Sequence, residues 1–291
     1  MRYSENWTDY ELLDTSDGER LEKWGKYVLV RPDPQVVWKG VKKHPLWNRC
    51  DASYKRSSSG GGAWGDNKLP AEWNIGFEKL GLVFTVKAMG FKHTGVFPEQ
   101  AVNWETMFDL IKESNRKIKV LNLFAYTGGA TLACAKAGAE VVHVDASKGM
   151  TQTAKENAEL SGLRDAHIRY IVDDCRKFVE REIRRNNKYD AIIMDPPSYG
   201  RGPSGEVWKN EDCIFEFISA ASRLLSDDML FFLVNSYTTG LSPSSVAYME
   251  SLAIGKAHKG RILADEVGLK VSQTGGVLPC GSSVFFIGES K

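Results

Sequence analysis

From Lys119 onward the chain alternates short apolar runs with segments of helical period, the pattern of a parallel sheet whose strands are joined by crossover helices on both faces. The predicted strands are KVLNLF (119–124), EVVHVDA (140–146), IRYIVD (168–173), YDAIIMD (189–195) and MLFFLVN (229–235), then RILADEVGL (261–269) and SVFFIGE (283–289). Helical patterns fill the gaps at 130–137, 148–161, 176–186 and 211–225. The final two strands are joined around Gly275-Gly276 by a loop far shorter than a crossover helix, so they are expected to run antiparallel.

Residues 1–89 have a different texture, with short strand candidates YELLD, KYVLVRP, VVWKGV and GLVFTVKAM between turn residues. They read as a small β-rich accessory domain ahead of an α/β domain over 90–291, a division that 291 residues at 42% hydrophobic content can support. Six of the eight tryptophans (Trp7, Trp24, Trp38, Trp47, Trp64, Trp73) lie in this first part. Such rings build a compact core or a stacking surface for bases, and the core reading leads. Ser57-Ser58-Ser59-Gly60-Gly61-Gly62 reads as a flexible linker or loop.

Lysine and arginine total 38 against 37 acids, so the chain lacks the overall positive field of a nonspecific nucleic-acid binder, although a local basic patch is allowed. The first twenty residues contain no apolar stretch for a signal peptide or membrane span, which places the protein in the cytoplasm by expectation, with no membrane partner. The five cysteines (Cys50, Cys134, Cys175, Cys213, Cys280) are scattered without a CxxC pair, so neither a disulfide framework nor a metal site is expected.

An open α/β sheet presents its ligands at the carboxyl ends of its strands, and four such ends carry chemistry here. Asn122-Leu123-Phe124-Ala125-Tyr126-Thr127-Gly128-Gly129 leaves a strand and enters a helix through paired glycines, letting backbone approach a ligand and helix amides point at it. Asp145 ends the next strand 17 residues after Gly128, where an acid accepts hydrogen bonds from both ribose hydroxyls of an adenosyl group. Asp173-Asp174-Cys175 follows the third strand, where a carboxylate takes an adenine amino group or Asp174 simply caps the helix. At the fourth, Asp195-Pro196-Pro197-Ser198-Tyr199 sets a carboxylate, two outward-facing proline carbonyls and an aromatic ring on one turn. That combination suits a planar nitrogen nucleophile, held by carboxylate and carbonyl and stacked on the ring; the plainer reading is a strand-ending turn with a buried tyrosine.

NLFAYTGGAT, HVDAS, Asp-Asp before a helix and DPPSY, in this order and spacing, resemble the class I S-adenosylmethionine-dependent methyltransferases. Within that class the chain is most similar to the bacterial group that includes 23S ribosomal RNA large-subunit methyltransferases and uncharacterised relatives. GFKHTGVFPEQAVNWE (90–105) looks like that group's segment ahead of the catalytic domain, and SSSGGGAW (57–64) like a stretch of one uncharacterised subgroup. The antiparallel closing pair likewise favours the methyltransferase variant of the Rossmann fold over the dehydrogenase variant. The resemblance implies a seven-stranded sheet of order 3-2-1-4-5-7-6 with its last strand antiparallel, an N-terminal β domain, and S-adenosylmethionine across the first three strand ends. By position it assigns Asn122, Phe124, Thr127, Gly128 and Gly129 to the methionine and sugar, Asp145 to the ribose and Asp174 to adenine. Tyr126, Ala146, Ser147, Cys175 and Asp195 complete that set on the same loops. Lys92, Thr94, Gly95, Phe97 and Gln100 would cover the cofactor from the other side, unless Lys92 is an ordinary surface lysine.

Relatives that methylate carbon 5 of cytosine need a cysteine thiolate after the fifth strand or in the Pro-Pro turn, and neither Asn235-Ser236-Tyr237-Thr238 nor Asp195-Pro196-Pro197-Ser198 offers one. Cys280 reads as a small buried thiol rather than as a substitute. The expected activity is therefore metal-free methyl transfer to a nitrogen of an RNA base, in ribosomal RNA, by a monomer or homodimer, with Asp195, Pro196, Pro197 and Tyr199 as the catalytic turn. A methyltransferase for a protein or small molecule is the alternative. A non-catalytic nucleotide-binding module, or a dinucleotide oxidoreductase, is a remoter one, disfavoured by the lack of GxGxxG.

Overall fold

The computed structural model describes every residue except 41, 58–60, 66–67, 91, 202–206 and 290–291. The chain divides into two compact units, one of Arg2–Val102 with Gly268–Cys280, the other of Met1, Asn103–Val267 and Gly281–Lys291.

In the N-terminal unit, β1 (Tyr10–Ser16), β2 (Glu19–Trp24), β3 (Tyr27–Pro32), β4 (Ala52–Arg56) and β5 (Gly62–Gly65) form one sheet in that order. All neighbours are antiparallel except β3 and β4. β6 (Trp73–Phe77) and β7 (Leu82–Val86) make a separate hairpin. Asp17 and Gly18 join β1 to β2 with positive φ at both residues, 53° and 78°, the conformation that matches the twist of a two-residue hairpin. Among the six tryptophans, Trp24 and Trp47 are buried, Trp7, Trp64 and Trp73 half-buried, and Trp38 exposed, so the core reading holds for five and not for Trp38.

One N-terminal expectation needs correction. Over its described residues, 36–40, VVWKGV is not a strand but an irregular strap, with Pro34 withholding an amide just upstream; Val41 lies outside the described residues. Its Trp38 Nε1 donates to the Thr15 carbonyl at 3.1 Å, and its Trp38 carbonyl accepts the Asp17 amide at 3.1 Å. The loop reading of the Ser-Gly run holds at its described ends, where Ser57 N donates to Gly61 O at 3.2 Å between β4 and β5, and only its last glycine, Gly62, already lies in a strand, β5. Ser58–Gly60 lie outside the described residues.

The second unit follows the predicted alternation. α1 (Ala101–Glu113) precedes β8 (Lys119–Leu123), α2 (Gly129–Lys136), β9 (Glu140–Asp145), α3 (Lys148–Leu160), β10 (Ile168–Val172) and α4 (Cys175–Arg184). β11 (Ala191–Met194) is followed by a small hairpin of β12 (Tyr199–Arg201) and β13 (Val207–Lys209), then α5 (Asn210–Ser222), β14 (Phe231–Ser236) and α6 (Pro243–Ile254). β15 (Gly260–Lys270) and β16 (Val277–Gly288) end the chain.

The sheet order is β10-β9-β8-β11-β14-β16-β15, with β8 to β11 and β14 parallel and β16 antiparallel to β14. This is the predicted order 3-2-1-4-5-7-6. Strand residues Leu121, Leu123, Ile192, Met194, Phe232 and Val234 share one buried cluster with Phe178, Val179, Phe217 and Ile218 from α4 and α5. Each such side chain contributes about 1.5–3 kcal/mol by leaving water. Ser147 and Asp174 cap α3 and α4 by accepting the amides of Met150 and Lys177, each cap worth about 1 kcal/mol. These caps fix where each helix starts beside the strand end that precedes it.

Candidate active site

The loop leaving β8 is held by its amides. Phe124 and Tyr126 both sit in the left-handed region, at φ 56° and 50°, a conformation that costs about 1–2 kcal/mol for each side-chain-bearing residue. Three consecutive amides offset that strain. Phe124 N donates to Cys175 Sγ at 3.3 Å, Ala125 N to Val144 O at 3.1 Å, and Tyr126 N to Asp145 Oδ2 at 2.8 Å. Asn122 and Thr127 are buried; Asn122 Nδ2 donates to Thr131 Oγ1 at 2.9 Å, and Asn157 Nδ2 donates to Thr127 O at 3.0 Å.

The paired glycines have protein-side reasons. A Cβ on Gly128, whose φ is 92°, would lie 2.9 Å from Leu132 Cδ1 and 3.0 Å from Ala154 Cβ. One on Gly129 would lie 2.5 Å from the Trp104 ring. Close packing of α2 against α3 and Trp104 therefore demands glycine here, independently of any ligand.

Asp145 joins two strand ends. Its Oδ2 takes the Tyr126 amide and its Oδ1 the Ser147 amide, both at 2.8 Å. Burial raises its pKa, and the two amide bonds oppose that rise. Each oxygen of an ionised carboxylate has a second lone pair, so Asp145 keeps acceptor capacity for a diol. Ala146 follows in the short connection to the Ser147 cap.

At the third strand end Asp174 caps α4, its Oδ1 accepting Lys177 N at 2.9 Å, while Asp173 forms an ion pair with Arg181. The Cys175 side chain is turned into the core, where its thiol receives the Phe124 amide and burial pushes its pKa far up. Only backbone of Cys175 is therefore left to face a ligand.

The fourth strand end departs from expectation in one atom and clarifies another. Pro197 O does not face outward as a free acceptor; it receives Trp208 Nε1 at 2.7 Å. Pro196 is buried and Pro197 exposed. The buried-tyrosine alternative fails, because Tyr199 starts β12 with 54% of its surface exposed. Trp208, opposite Gly200 in β13, packs on Phe124 and Phe217 with ring centroids 5.5 and 5.7 Å away, and the Arg176 guanidinium lies 4.4 Å from its ring. The ring of Phe124 thus belongs to an aromatic cluster behind the turn. Ser198 O accepts Asn210 N at 3.0 Å, and Ser198 Oγ accepts Thr238 Oγ1 at 2.9 Å, tying the turn to the end of β14. Asn210 Nδ2 donates to Thr238 Oγ1 at 3.1 Å, while its buried Oδ1 has no hydrogen-bond partner among the described residues. Trp208, Arg176, Asn210 and Thr238 carry no local motif, and only the tertiary fold reveals them.

Lys92, Thr94, Gly95, Phe97 and Gln100 belong to the N-terminal unit. Lys92 is not an ordinary surface lysine. Its Nζ donates to Pro32 O at 3.3 Å, its carbonyl receives Arg31 Nη1 at 2.9 Å, and burial together with Arg20 lowers its pKa to about 8. Thr94 is buried with Oγ1 unpartnered among the described residues, and Gly95, at φ 108°, would bring a Cβ within 3.1 Å of Thr85 O. Phe97 stands edge-on to His93 at 5.4 Å, and Gln100 is buried. Cys280 also lies in this unit, its thiol donating to Leu278 O at 3.5 Å.

Among the described residues no three His, Cys, Asp or Glu side chains gather as a metal site, and no helix is long and apolar enough to cross a membrane.

A family model described as S-adenosylmethionine-dependent methyltransferase matches residues 53–211. A ribosomal RNA large subunit methyltransferase K/L of Magnetococcus marinus is 30% identical over 212 residues, 72% of this chain and 26% of that one. Its namesake from Shewanella frigidimarina is 33% identical over 151 residues, 51% of this chain and 20% of that one. The chain thus spans about a fifth to a quarter of the length of these relatives. A crystal structure of an S-adenosylmethionine-dependent methyltransferase from Agrobacterium tumefaciens superposes with a TM-score of 0.90 at 36% identity, covering 99% of this chain and 93% of that one.

Proposed function

Because the chain belongs to the S-adenosylmethionine-dependent methyltransferase family, we propose that it transfers a methyl group to a nitrogen of an RNA base, ribosomal RNA being the substrate class. The observation that carries this reading is the turn after β11, where Asp195 and the exposed ring of Tyr199 stand four residues apart at one strand end. The names of the Magnetococcus and Shewanella relatives support the choice of RNA.

The residues present fit the cofactor. Asp145 offers free lone pairs for the ribose hydroxyls, Asp174 a second carboxylate oxygen for the adenine amine, and the loop from Asn122 to Gly129 its backbone at the start of α2. When bound, S-adenosylmethionine supplies an electrophilic methyl on a positively charged sulfur. Asp195 holds the N–H of the nucleophile and takes its proton as the nitrogen acquires the methyl, while Tyr199 fixes the base plane by stacking. Trp208, by occupying Pro197 O and packing behind Phe124, keeps the turn in place. Alignment of this kind is worth about 7–11 kcal/mol.

Nitrogen is favoured over carbon because neither the Asp195–Ser198 turn nor the Asn235–Thr238 segment holds a thiol, and Cys134 and Cys175 are buried with their pKa values pushed far up. The test is transfer of tritiated methyl from S-adenosylmethionine into RNA, protein and metabolite fractions of a strain lacking the gene. Label in RNA is expected; label confined to protein overturns the substrate class.

A further inference from the structure

The N-terminal unit contains a cavity of about 540 Å³ that the proposed chemistry does not use, lined among others by Thr15, Ser16, Trp38, Lys43, Gln273 and Thr274. Its walls come from two segments that share the outer edge of β1. Residues of the hairpin tip pair with the first half of that edge: Val271 bridges Leu12 in parallel, Ser272 N donates to Leu12 O at 2.9 Å, and Gln273 N donates to Leu13 O at 3.0 Å. The tip then turns back at Gly275, φ 71°, whose amide returns to Val271 O at 2.8 Å. The other half of the edge is taken by the strap, through Trp38 Nε1 to Thr15 O and the Asp17 amide to Trp38 O, both at 3.1 Å. The space between tip and strap stays open.

Trp38 is the feature of this cavity that a folding role alone does not account for. Its indole N–H is engaged, so the ring is held in one orientation, yet 42% of its surface faces solvent beside Val37, itself 82% exposed. Lys39 lies in the strap, and Lys42 and Lys43 follow it in sequence. Lys42 pairs with Glu19 and lies 4.3 Å over the Trp47 ring, whereas Lys39 and Lys43 are exposed and have no acidic partner among the described residues. The nearby acids are already engaged: Asp14 accepts Trp47 Nε1 and the Thr15 amide, both at 2.8 Å, and Asp17 accepts Ser16 Oγ at 2.8 Å. An open indole face, two unengaged lysines, and Thr15, Gln273 and Thr274 for a base edge are the elements that single-stranded nucleic acid requires. A cavity of this volume suits one nucleotide.

We propose that this cavity receives one unstacked nucleotide of single-stranded RNA, with its base on the Trp38 ring and its flanking phosphates at Lys39 and Lys43. The proposal rests on the RNA reading of the function and adds to it a second contact, outside the catalytic turn.

The test is fluorescence anisotropy with a labelled single-stranded oligoribonucleotide of about 12 nucleotides, within the usual site sizes of single-strand binders. Trp38→Ala is expected to weaken binding about 5- to 100-fold, and Trp38→Phe, which keeps a ring but loses the bond to Thr15 O, to stay within about threefold of wild type. Lys43→Glu is expected to lower the salt slope by about one. All three variants should bind S-adenosylhomocysteine as wild type does, which shows that they fold. Wild-type affinity in Trp38→Ala, equal weakening in Trp38→Phe, or no binding by the wild-type protein overturns the proposal. Counting methyl label in RNA with the same preparations separates the two readings. Label in RNA with Trp38→Ala binding unchanged sinks this cavity alone. Trp38-dependent binding with label only in protein sinks the proposed substrate and leaves the cavity standing.

Discussion

Asp145 Oδ2 receives the amide of Tyr126 at 2.8 Å, so the carboxylate that ends the second strand of the parallel series also holds the left-handed loop that leaves the first. Asp145→Asn replaces one acceptor by an NH₂ that faces an amide. It should weaken S-adenosylhomocysteine binding at least about tenfold, because both a lost acceptor and a released loop count against it. Isothermal titration calorimetry measures this, and unchanged affinity contradicts the placement of Asp145 at the ribose. Burial raises the Asp145 pKa, so affinity should fall with decreasing pH while still above the ordinary Asp value of about 3.9. The protonated form has lost acceptor capacity that a diol requires.

Gly129 faces Trp104. The 2.5 Å approach of an added Cβ to that ring predicts that Gly129→Ala costs about 1–3 kcal/mol in urea unfolding. Trp104→Leu should be less harmful in the Gly129→Ala background than alone. Additive losses would mean that the glycine serves something other than this packing.

Glu250, on α6, is fully buried with neither carboxylate oxygen hydrogen-bonded among the described residues, and burial alone raises its pKa well above the ordinary value. A carboxyl whose folded pKa is raised binds more protons in the native state than in the unfolded one. Stability therefore falls as pH rises from the ordinary Glu value of about 4.3 toward the raised value. Glu250→Gln removes that dependence and should raise the urea midpoint at neutral pH. A midpoint profile identical to wild type contradicts the burial of a charge there.

Trp208 donates to Pro197 O and fills the space between Phe124 and Phe217. Trp208→Phe keeps most of the packing and frees the carbonyl, so it should lower kcat more than it raises KM for RNA. Trp208→Ala removes the packing as well and should cost about 3–5 kcal/mol of stability. An unaltered kcat in Trp208→Phe would separate the tryptophan from the catalytic turn.

The sheet is legible in the sequence because apolar runs such as AIIM and FFLV are bounded by turn residues and separated by helical periods. The strand-end residues Asp145, Asp174 and Asp195 follow from their places after those runs. α1 is hidden in the sequence although Trp104, Met107 and Ile111 are all buried along it, because the GFKHTG motif runs straight into its first turn and obscures the helical period. α6 starts legibly, with the Ser242 cap and Pro243 at its first turn, but its buried face of Val246, Glu250 and Ile254 carries an acid at its centre, which breaks the apolar period. The strap at residues 36–40 looked like a strand because local composition does not reveal which edge is already paired. Three features depend on contacts that only the folded chain makes: the Cys175 thiol under the Phe124 amide, Trp208 on Pro197 O, and Trp104 against Gly129. No local pattern encodes them. Pro197 illustrates the difference, since proline accounts for a carbonyl in a rigid turn, but only the fold decides what that carbonyl meets.

The role of Asp195 is tested by methyl transfer in Asp195→Asn, assayed as tritiated label from S-adenosylmethionine into RNA alongside calorimetry with S-adenosylhomocysteine. A residue that holds and deprotonates the nucleophile is worth about 10²–10⁴-fold in rate. A loss of that order is expected, with cofactor affinity within a few fold of wild type. Wild-type methylation by Asp195→Asn would contradict it.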